Sequence, residues 1–333
     1  MYESFFGFSE KPFSLRPDPS YLYLGEEHSM ALAVFKCGLL NEAGFTVITG
    51  EIGAGKTTLI RHVLSQVRAN VTLGIISNTH HSFGNLLQWV LAAFELDYKH
   101  KEKVDLYQTF VAFLDGEYAA GRRTVLVIDE AQNLDADTLE ELRVLSNVNA
   151  DKDQVLQVVL VGQPELRDAL RRPNMRQFAQ RIAVAYHLKA LDYQETENCI
   201  RHRLTIAGGN PLLFNASACK SIYEYSQGIP RVINVLCDTA LIYAFAEQRR
   251  EIGADLIEKV VRDRDLDARS TGRIHSPAIA AEVVANEADL AAITEHLHVH
   301  TERDKISEAS QEAVSPPSIE DLRMLFGGRG HKP

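Results

Sequence analysis

Apolar residues follow two rhythms along this chain, and the rhythm changes near residue 191. Before that point, short unbroken apolar runs alternate with stretches in which apolar residues recur every three or four positions. The runs are "GFTVITG" (44–50), "VTLGIISN" (71–78), "TVLVIDEAQNL" (124–134), which runs on into a loop, "VLQVVLVGQ" (155–163) and "AVAYHLKAL" (183–191). A strand covered on both faces reads as a continuous apolar run, because neither face meets water. The intervening stretches "IRHVLSQV", "FGNLLQWVLAAFEL", "VDLYQTFVAFLDGEYAAG" and "DTLEELRVLSNV" read as amphipathic helices, with "PELRDALRR" and "NMRQFAQRI" as shorter ones. Strands alternating with helices predict an α/β domain of three layers, a parallel sheet between two sheets of helices. From Asp192 onward "DYQETENCIRHRLTIAG", "NASACKSIYEYSQG", "PRVINVLCDTALIYAFAEQ" and "ADLIEKVVRDRD" all carry the helical period with no strand between them. A small all-α domain is expected there.

The expected organisation has four parts. Residues 1–30 form an ordered lead-in, where Pro12, Pro17 and Pro19 interrupt helices while Phe5, Phe6, Phe8, Phe13, Tyr21 and Tyr23 supply anchors. Residues 31–191 make the α/β domain, opened by a helix, "EEHSMALAVFKCGLLNEAG", that ends at Gly44. Residues 192–266 make the helical domain, and 267–333 a weakly patterned tail with one further helix, which includes the polar stretch "SEASQEAVSPPS".

Charge and cysteine content narrow the function classes. The formal net charge of the 333-residue chain is −10, which argues against a broadly basic nucleic-acid scaffold. Cys37, Cys199, Cys219 and Cys237 are scattered, with no C-x-x-C pair, and read as reduced core thiols. No apolar run approaches the ~20 residues that span a bilayer. The start, "MYESFFGFSEKPF", lacks the basic and apolar blocks of a signal peptide. A cytoplasmic protein, or one peripheral to the inner face of a membrane, is expected.

Candidate chemistry begins at "GEIGAGKTTL" (50–59). Gly50, Glu51, Ile52, Gly53, Ala54, Gly55, Lys56, Thr57 and Thr58 stand where the first long strand gives way to a helix. Gly50, four residues, then Gly55-Lys56-Thr57 match the phosphate-binding loop without a mismatch. Glycine lets backbone N–H groups curl around an anion, and the new helix aims its positive end at the same place. Lys56 is then placed for the β- and γ-phosphates and the Thr57 hydroxyl for magnesium. ATP with Mg2+ is the expected ligand.

A second cluster follows "TVLVI". Asp129-Glu130 leaves a buried strand, a costly position for two carboxylates unless a cation or water uses them. Asp129 is placed to hold the magnesium-bound water shell and Glu130 to polarise an attacking water, which points to hydrolysis. Asn78 and Gln163 also end strands, where a polar side chain can meet the γ-phosphate or Glu130. Arg181, between short helices and a strand, and Arg231, at the head of a helix in the α-domain, stand out by position relative to these motifs.

The ordered set "GEIGAGKT", "LVIDEAQ", "VLVGQPEL", "QRI" and "GIPRVINVLCD" resembles the AAA+ ATPases. The lead-in "FFGFSEKPFSLRPDPSYLYLGEEHSMAL" narrows this, because it looks like the ExeA/GspA family of general secretion pathway ATPases. That family includes relatives associated with exosortase (PEP-CTERM) and exopolysaccharide loci. The resemblance spans roughly residues 1–265. It implies a P-loop NTPase sheet domain followed by an all-α lid. It also implies roles: Gln163 as sensor 1, Arg231 as sensor 2, and Arg181 as an arginine finger acting on a neighbouring subunit's ATP, with Arg176 the second candidate. Asn78 resembles the polar residue that restrains the catalytic glutamate. A homo-oligomer follows from a finger supplied in trans. Secretion-pathway members often continue into a membrane span and a peptidoglycan-binding domain; this sequence has neither, which weighs against direct cell-wall remodelling.

Three functions are compatible with these residues. The first is an ATP-hydrolysing assembly or energising factor for secretion or exopolysaccharide export, with an inner-membrane component as partner. The second is a DNA-associated AAA+ helper of the transposition or origin-recognition type; the acidic balance disfavours nucleic acid as a partner without excluding it. The third is a nucleotide-dependent binding module without turnover, which Asp129-Glu130 disfavours. The basic runs "RHRL" and "RRPNMRQ" read as solvated faces, and His296, His298 and His300 as a weak metal signal.

Overall fold

The computed structural model describes residues 2–40, 44–66, 70–77, 85–150 and 153–270. Helices α1 (Glu3–Phe6) and α2 (Glu26–Leu40) precede strand β1 (Phe45–Gly50), and α3 (Lys56–Leu64) follows it. Next come β2 (Val71–Ile76), α4 (Leu86–Ala93), α5 (Lys103–Ala119), β3 (Arg123–Ile128) and α6 (Ala136–Leu145). A two-stranded antiparallel ribbon, β4 (Asn149–Ala150) with β5 (Asp153–Gln154), leads to β6 (Leu156–Gly162). After α7 (Pro164–Leu170) and α8 (Arg176–Ala179), β7 (Ile182–Leu188) closes the sheet. Four long helices end the described chain: α9 (Tyr193–Ile206), α10 (Ala216–Ser226), α11 (Pro230–Ala246) and α12 (Ala254–Ser270).

The five long strands form one parallel sheet in the order β2-β3-β6-β1-β7. Because strand side chains alternate, the central strands β1, β3 and β6, buried along nearly their whole length, serve two cores at once, whereas the edge strands β2 and β7 are only partly covered and depart from the two-sided burial expected of their runs. Phe45, Val47, Leu126, Ile128, Val158 and Leu160 face one core, which α4, α5 and α6 cover with Leu87, Phe110 and Leu142. Ile48, Val125, Val127, Val159 and Val161 face the other, closed by Phe35 of α2 and by Ile60 and Val63 of α3. The three-layer α/β arrangement expected from the runs is therefore present.

A third core holds the last four helices together, and the lead-in belongs to it. Tyr2, Phe8, Phe13 and Tyr21 are buried with Ile200, Leu204, Phe214, Ile233 and Leu241. Sequence patterning shows that those aromatics need cover but does not say what covers them. The "RHRL" run is part of the answer, and it departs from the solvated face expected of it. Arg203 donates to the carbonyls of Pro12 (2.8 Å), Ser14 (3.2 Å) and Tyr21 (3.3 Å), and its guanidinium lies 5.0 Å from the Tyr21 ring centre. Arg201 pairs with Glu197 one helical turn away. The extended lead-in has few backbone partners of its own, so a planar five-donor group is well suited to collect its carbonyls. Removing it strands three of them. Arg203→Ala should lower the unfolding free energy by about 2–4 kcal/mol. Limited proteolysis should then cut the lead-in between residues 9 and 24 well before the rest. A variant that melts and resists protease like the wild type would show that Arg203 does not hold the lead-in.

Cys199, Cys219 and Cys237 are buried in this third core, with burial pushing their thiols up, to about 11 for the first two. Cys37 departs from the expected core placement and is exposed.

Candidate functional site

Every strand of a parallel sheet points its carboxyl end the same way, and here the chemistry gathers at those ends. β1 ends at Gly50 and runs into the glycine-rich loop; β3 ends at Ile128 beside Asp129; β6 ends at Gly162 beside Gln163. Since β6 lies between β3 and β1, three sequence-distant segments converge on one edge.

The loop from Gly50 to Gly55 turns through two left-handed glycines, Gly53 (φ +79°) and Gly55 (φ +96°). A Cβ at Gly53 would sit 2.6 Å from the Cβ of Arg231, so only glycine lets the helical domain approach this closely. Glu51 is exposed, Ile52, Thr57 and Thr58 are half-buried, and Ala54 and Lys56 are buried. Lys56 Nζ donates to the carbonyls of Gly50 (2.7 Å) and Glu51 (2.9 Å), so the ammonium curls back inside the loop. Burial lowers the Lys56 pKa, opposed by the carboxylates of Glu130 and Asp129.

Thr57 and Asp129, 72 positions apart, meet directly: Thr57 Oγ1 donates to Asp129 Oδ2 at 2.9 Å. Burial and then the Glu130 charge raise the Asp129 pKa, while the Thr57 bond opposes them. A buried carboxylate beside a hydroxyl and a second carboxylate is the donor chemistry that a hard cation relieves. Among the described residues, no group of three or more His, Cys, Asp or Glu could hold a metal ion. Mg2+ keeps waters and takes one or two protein ligands together with substrate phosphates, and Thr57 with Asp129 supplies donors of that kind.

Glu130 has a left-handed backbone (φ 54°, ψ 35°), unusual for a residue with a long side chain and found where surroundings over-determine it. Its N–H donates to Asp129 Oδ1 at 3.0 Å. Its Oε2 accepts from two amides, Gln132 Nε2 at 2.6 Å and Gln163 Nε2 at 3.2 Å. Gln132 Oε1 in turn accepts the Gln163 backbone N–H at 3.0 Å. Gln132 therefore ties the end of β6 to the Glu130 carboxylate. Sequence reading named Gln163 for this neighbourhood and passed over Gln132, although "DEAQ" contained it. Asn78 lies outside the described residues, as do His296, His298 and His300.

Arg231, the second residue of α11, reaches the loop, its N–H donating to the Gly53 carbonyl at 3.2 Å. Arg181 does not join the cluster. Ile182, next to it, pairs with Phe45 at the amino end of β1, whereas Leu188 pairs with Gly50 at the other end. Five residues of strand separate the two positions, about 17 Å at ~3.3 Å per residue, more than an arginine side chain spans. Arg181 is held there by Ser146 Oγ (3.2 Å) and the Arg143 carbonyl (3.5 Å). Arg176 is exposed at the same end.

One further residue, His28, touches the loop. It lies in the first turn of α2, 2% exposed, with Nε2 3.1 Å from the Ala54 carbonyl. The lead-in motif ending in "GEEHSMAL" contains it, with no role given to it.

Known proteins resemble this chain in sequence and in fold. A family model described as an AAA domain matches residues 40–170. General secretion pathway protein A of Aeromonas hydrophila is 43% identical over 253 residues, 76% of this chain. The chain spans only 46% of that relative's length. In fold, the chain is similar to the Aeropyrum pernix ORC2 protein solved as ADPNP-ADP complexes, with a TM-score of 0.58 at 18% identity over 77% of this chain and 72% of that one. It is also similar to the Aeropyrum pernix ORC1 protein in complex with DNA, with a TM-score of 0.58 at 14% identity over 79% of this chain and 72% of that one. Among the described residues, no helix is long and apolar enough to cross a membrane.

Proposed function

The chain belongs to the AAA-domain ATPases related to general secretion pathway protein A, and on that footing we propose that it binds ATP with Mg2+, hydrolyses it, and does so as a homo-oligomer. The meeting of Thr57 and Asp129 at 2.9 Å beside the buried Lys56 carries the reading. It unites a phosphate-binding loop with the acidic end of a strand two positions away in the sheet.

Lys56 would leave the Gly50 and Glu51 carbonyls for the β- and γ-phosphates, exchanging neutral acceptors for anionic ones. Thr57 and Asp129 would hold Mg2+, which neutralises phosphate charge. Glu130 would orient and polarise the attacking water, with Gln132 and Gln163 fixing its carboxylate. Gln163 would also sense the γ-phosphate, and Arg231 would report from the helical domain. Arg181 would act on the ATP of the next subunit. Asn78 keeps the role that the resemblance implies, a restraint on Glu130.

The biological setting follows the relative. The sequence match to a general secretion pathway protein supports an assembly or energising factor for secretion or exopolysaccharide export, acting at the inner face of the inner membrane. The exposed Arg171, Arg172 and Arg176 favour a second reading, a DNA-associated helper. An ATP-dependent gel shift that survives physiological salt would select it, because phosphate-driven binding otherwise fades steeply with salt.

Lys56→Ala tests nucleotide binding. Calorimetric titration with ATP should show at least about a hundredfold weaker binding, since charge-assisted bonds at about 1.5–3 kcal/mol each are removed. Without nucleotide the variant should still melt in one cooperative transition, at a somewhat lower temperature, because the Gly50 and Glu51 carbonyls lose their donor. Wild-type affinity in this variant would take Lys56, and the loop, out of the site.

A further inference from the structure

We propose that His28 is a positioning residue for the phosphate loop: it pins the Ala54 carbonyl and so aims the Gly55 N–H at the bound phosphates. The inference rests on the nucleotide-binding reading above.

A carbonyl only accepts hydrogen bonds, so at 3.1 Å from the Ala54 oxygen the His28 Nε2 must carry the proton. Nδ1 is then a bare lone pair, and it is buried without a hydrogen-bond partner. An unmet polar atom is costly in a packed interior, so this ring is placed for Nε2. Protonating Nδ1 would bury an unmet charged donor, and burial accordingly holds the His28 pKa below the ordinary value.

Peptide geometry carries the effect onward. A trans peptide is planar, with its C=O and N–H pointing opposite ways. Fixing the Ala54 carbonyl on His28 therefore fixes the Gly55 N–H pointing away from the ring, in the loop whose Gly50 and Glu51 carbonyls hold Lys56 Nζ. Gly55 precedes α3, so its N–H sits at a helix start, where amides seek an anion. The same ring closes the other side of Gly55: a Cβ built there would lie 3.1 Å from Nε2. The left-handed Gly55 is thus held from below as well as by its own backbone freedom.

His28 is itself held by its two neighbours. The Glu26 N–H donates to Glu195 Oε1 of α9 at 2.7 Å. The Glu27 carboxylate accepts from Tyr186 Oη (2.6 Å) and Lys189 Nζ (2.7 Å). Three consecutive residues thus contact the helical domain, the end of β7 and the phosphate loop. Glu27 and Glu195 are the charged groups that act on the His28 ring, and both oppose the effect of burial.

The test is a calorimetric titration of the full chain with ADP, paired with melting curves taken without nucleotide. Three variants separate the bond from the bulk. H28Q presents an amide donor near the Nε2 position, H28F keeps ring volume without a donor, and H28N places its donor short of Ala54. H28Q should bind ADP within about threefold of wild type. H28F and H28N should bind about tenfold more weakly, as expected for one lost hydrogen bond. Equal affinity in all three overturns the inference, as does H28Q failing as badly as H28F. If all three unfold without nucleotide, His28 is a determinant of folding and the positioning role is wrong. Lys56→Ala, run alongside, separates the two levels. Normal ADP binding there defeats the nucleotide-site reading itself. Lost binding there with normal binding in H28F defeats only the role of His28.

Discussion

Glu130→Gln should bind ATP as the wild type does and turn it over at less than about a hundredth of the rate. A general base contributes typically 10²–10⁴ in rate, and an amide of nearly the same shape cannot take up a proton or polarise water comparably. The local structure should survive the change. Residue 130 keeps an oxygen able to accept from Gln132 Nε2 and Gln163 Nε2, and its left-handed backbone is held by the bond to Asp129. Binding and chemistry should therefore separate cleanly, with KM little altered and kcat collapsed. Steady-state phosphate release together with ATP titration gives both numbers. The ATP-loaded assembly should also accumulate and be visible by light scattering. Wild-type turnover in Glu130→Gln would sink the assignment of the base.

Arg181→Ala should show a comparable loss for a different reason. Arginine fingers supply ~10³–10⁵ in related phosphoryl-transfer systems, by meeting charge on the transferring group. In its own subunit Arg181 lies at the amino end of the sheet, near Phe45, while the phosphate loop leaves the carboxyl end at Gly50. A finger at that position can act only on another copy. ATP affinity should stay near wild type while hydrolysis falls steeply. Mixing distinguishes trans from cis action. Glu130→Gln keeps its finger and Arg181→Ala keeps its base, so mixed assemblies contain interfaces with both parts intact, and activity should partly return. Wild-type specific activity should also rise with protein concentration. A mixture that co-assembles and stays inactive would reject the trans finger and turn attention to Arg176.

These variants rest on residues of unequal legibility. Lys56 and Thr57 could be read directly, because a phosphate loop is a local device: glycine spacing, a strand before and a helix after are all contiguous. Asp129 and Glu130 were nearly as plain, since two carboxylates ending an apolar run conflict with burial unless something uses them. Gln132 was quoted within a motif and given no role. Nothing local says that its amide turns back to Glu130 and forward to the Gln163 backbone. His28 too was quoted, within the lead-in, and given no role, because one histidine in a helix's first turn looks the same whether it meets water or a carbonyl. Arg203 was misread for the matching reason: a basic run on an amphipathic helix looks solvated until another segment lies across it.

Sequence by itself determined the five long strands and the long helices, the two-sided burial of the central strands, the phosphate loop and the acidic strand end. Each follows from chemistry within a few residues: period-2 side-chain alternation, glycine's access to positive φ, and the cost of an uncompensated carboxylate. Tertiary structure alone decided the strand order β2-β3-β6-β1-β7, and with it which strand ends meet. The three central runs are nearly interchangeable as apolar patterns, so no local signal orders them. Yet that order brings Thr57 to Asp129 and Gln163 to Glu130, and sets Arg181 a strand's length from its own loop. The packing of the lead-in on the helical domain was decided the same way, since hydrophobic burial is non-directional and names no partner until shapes and hydrogen bonds select one.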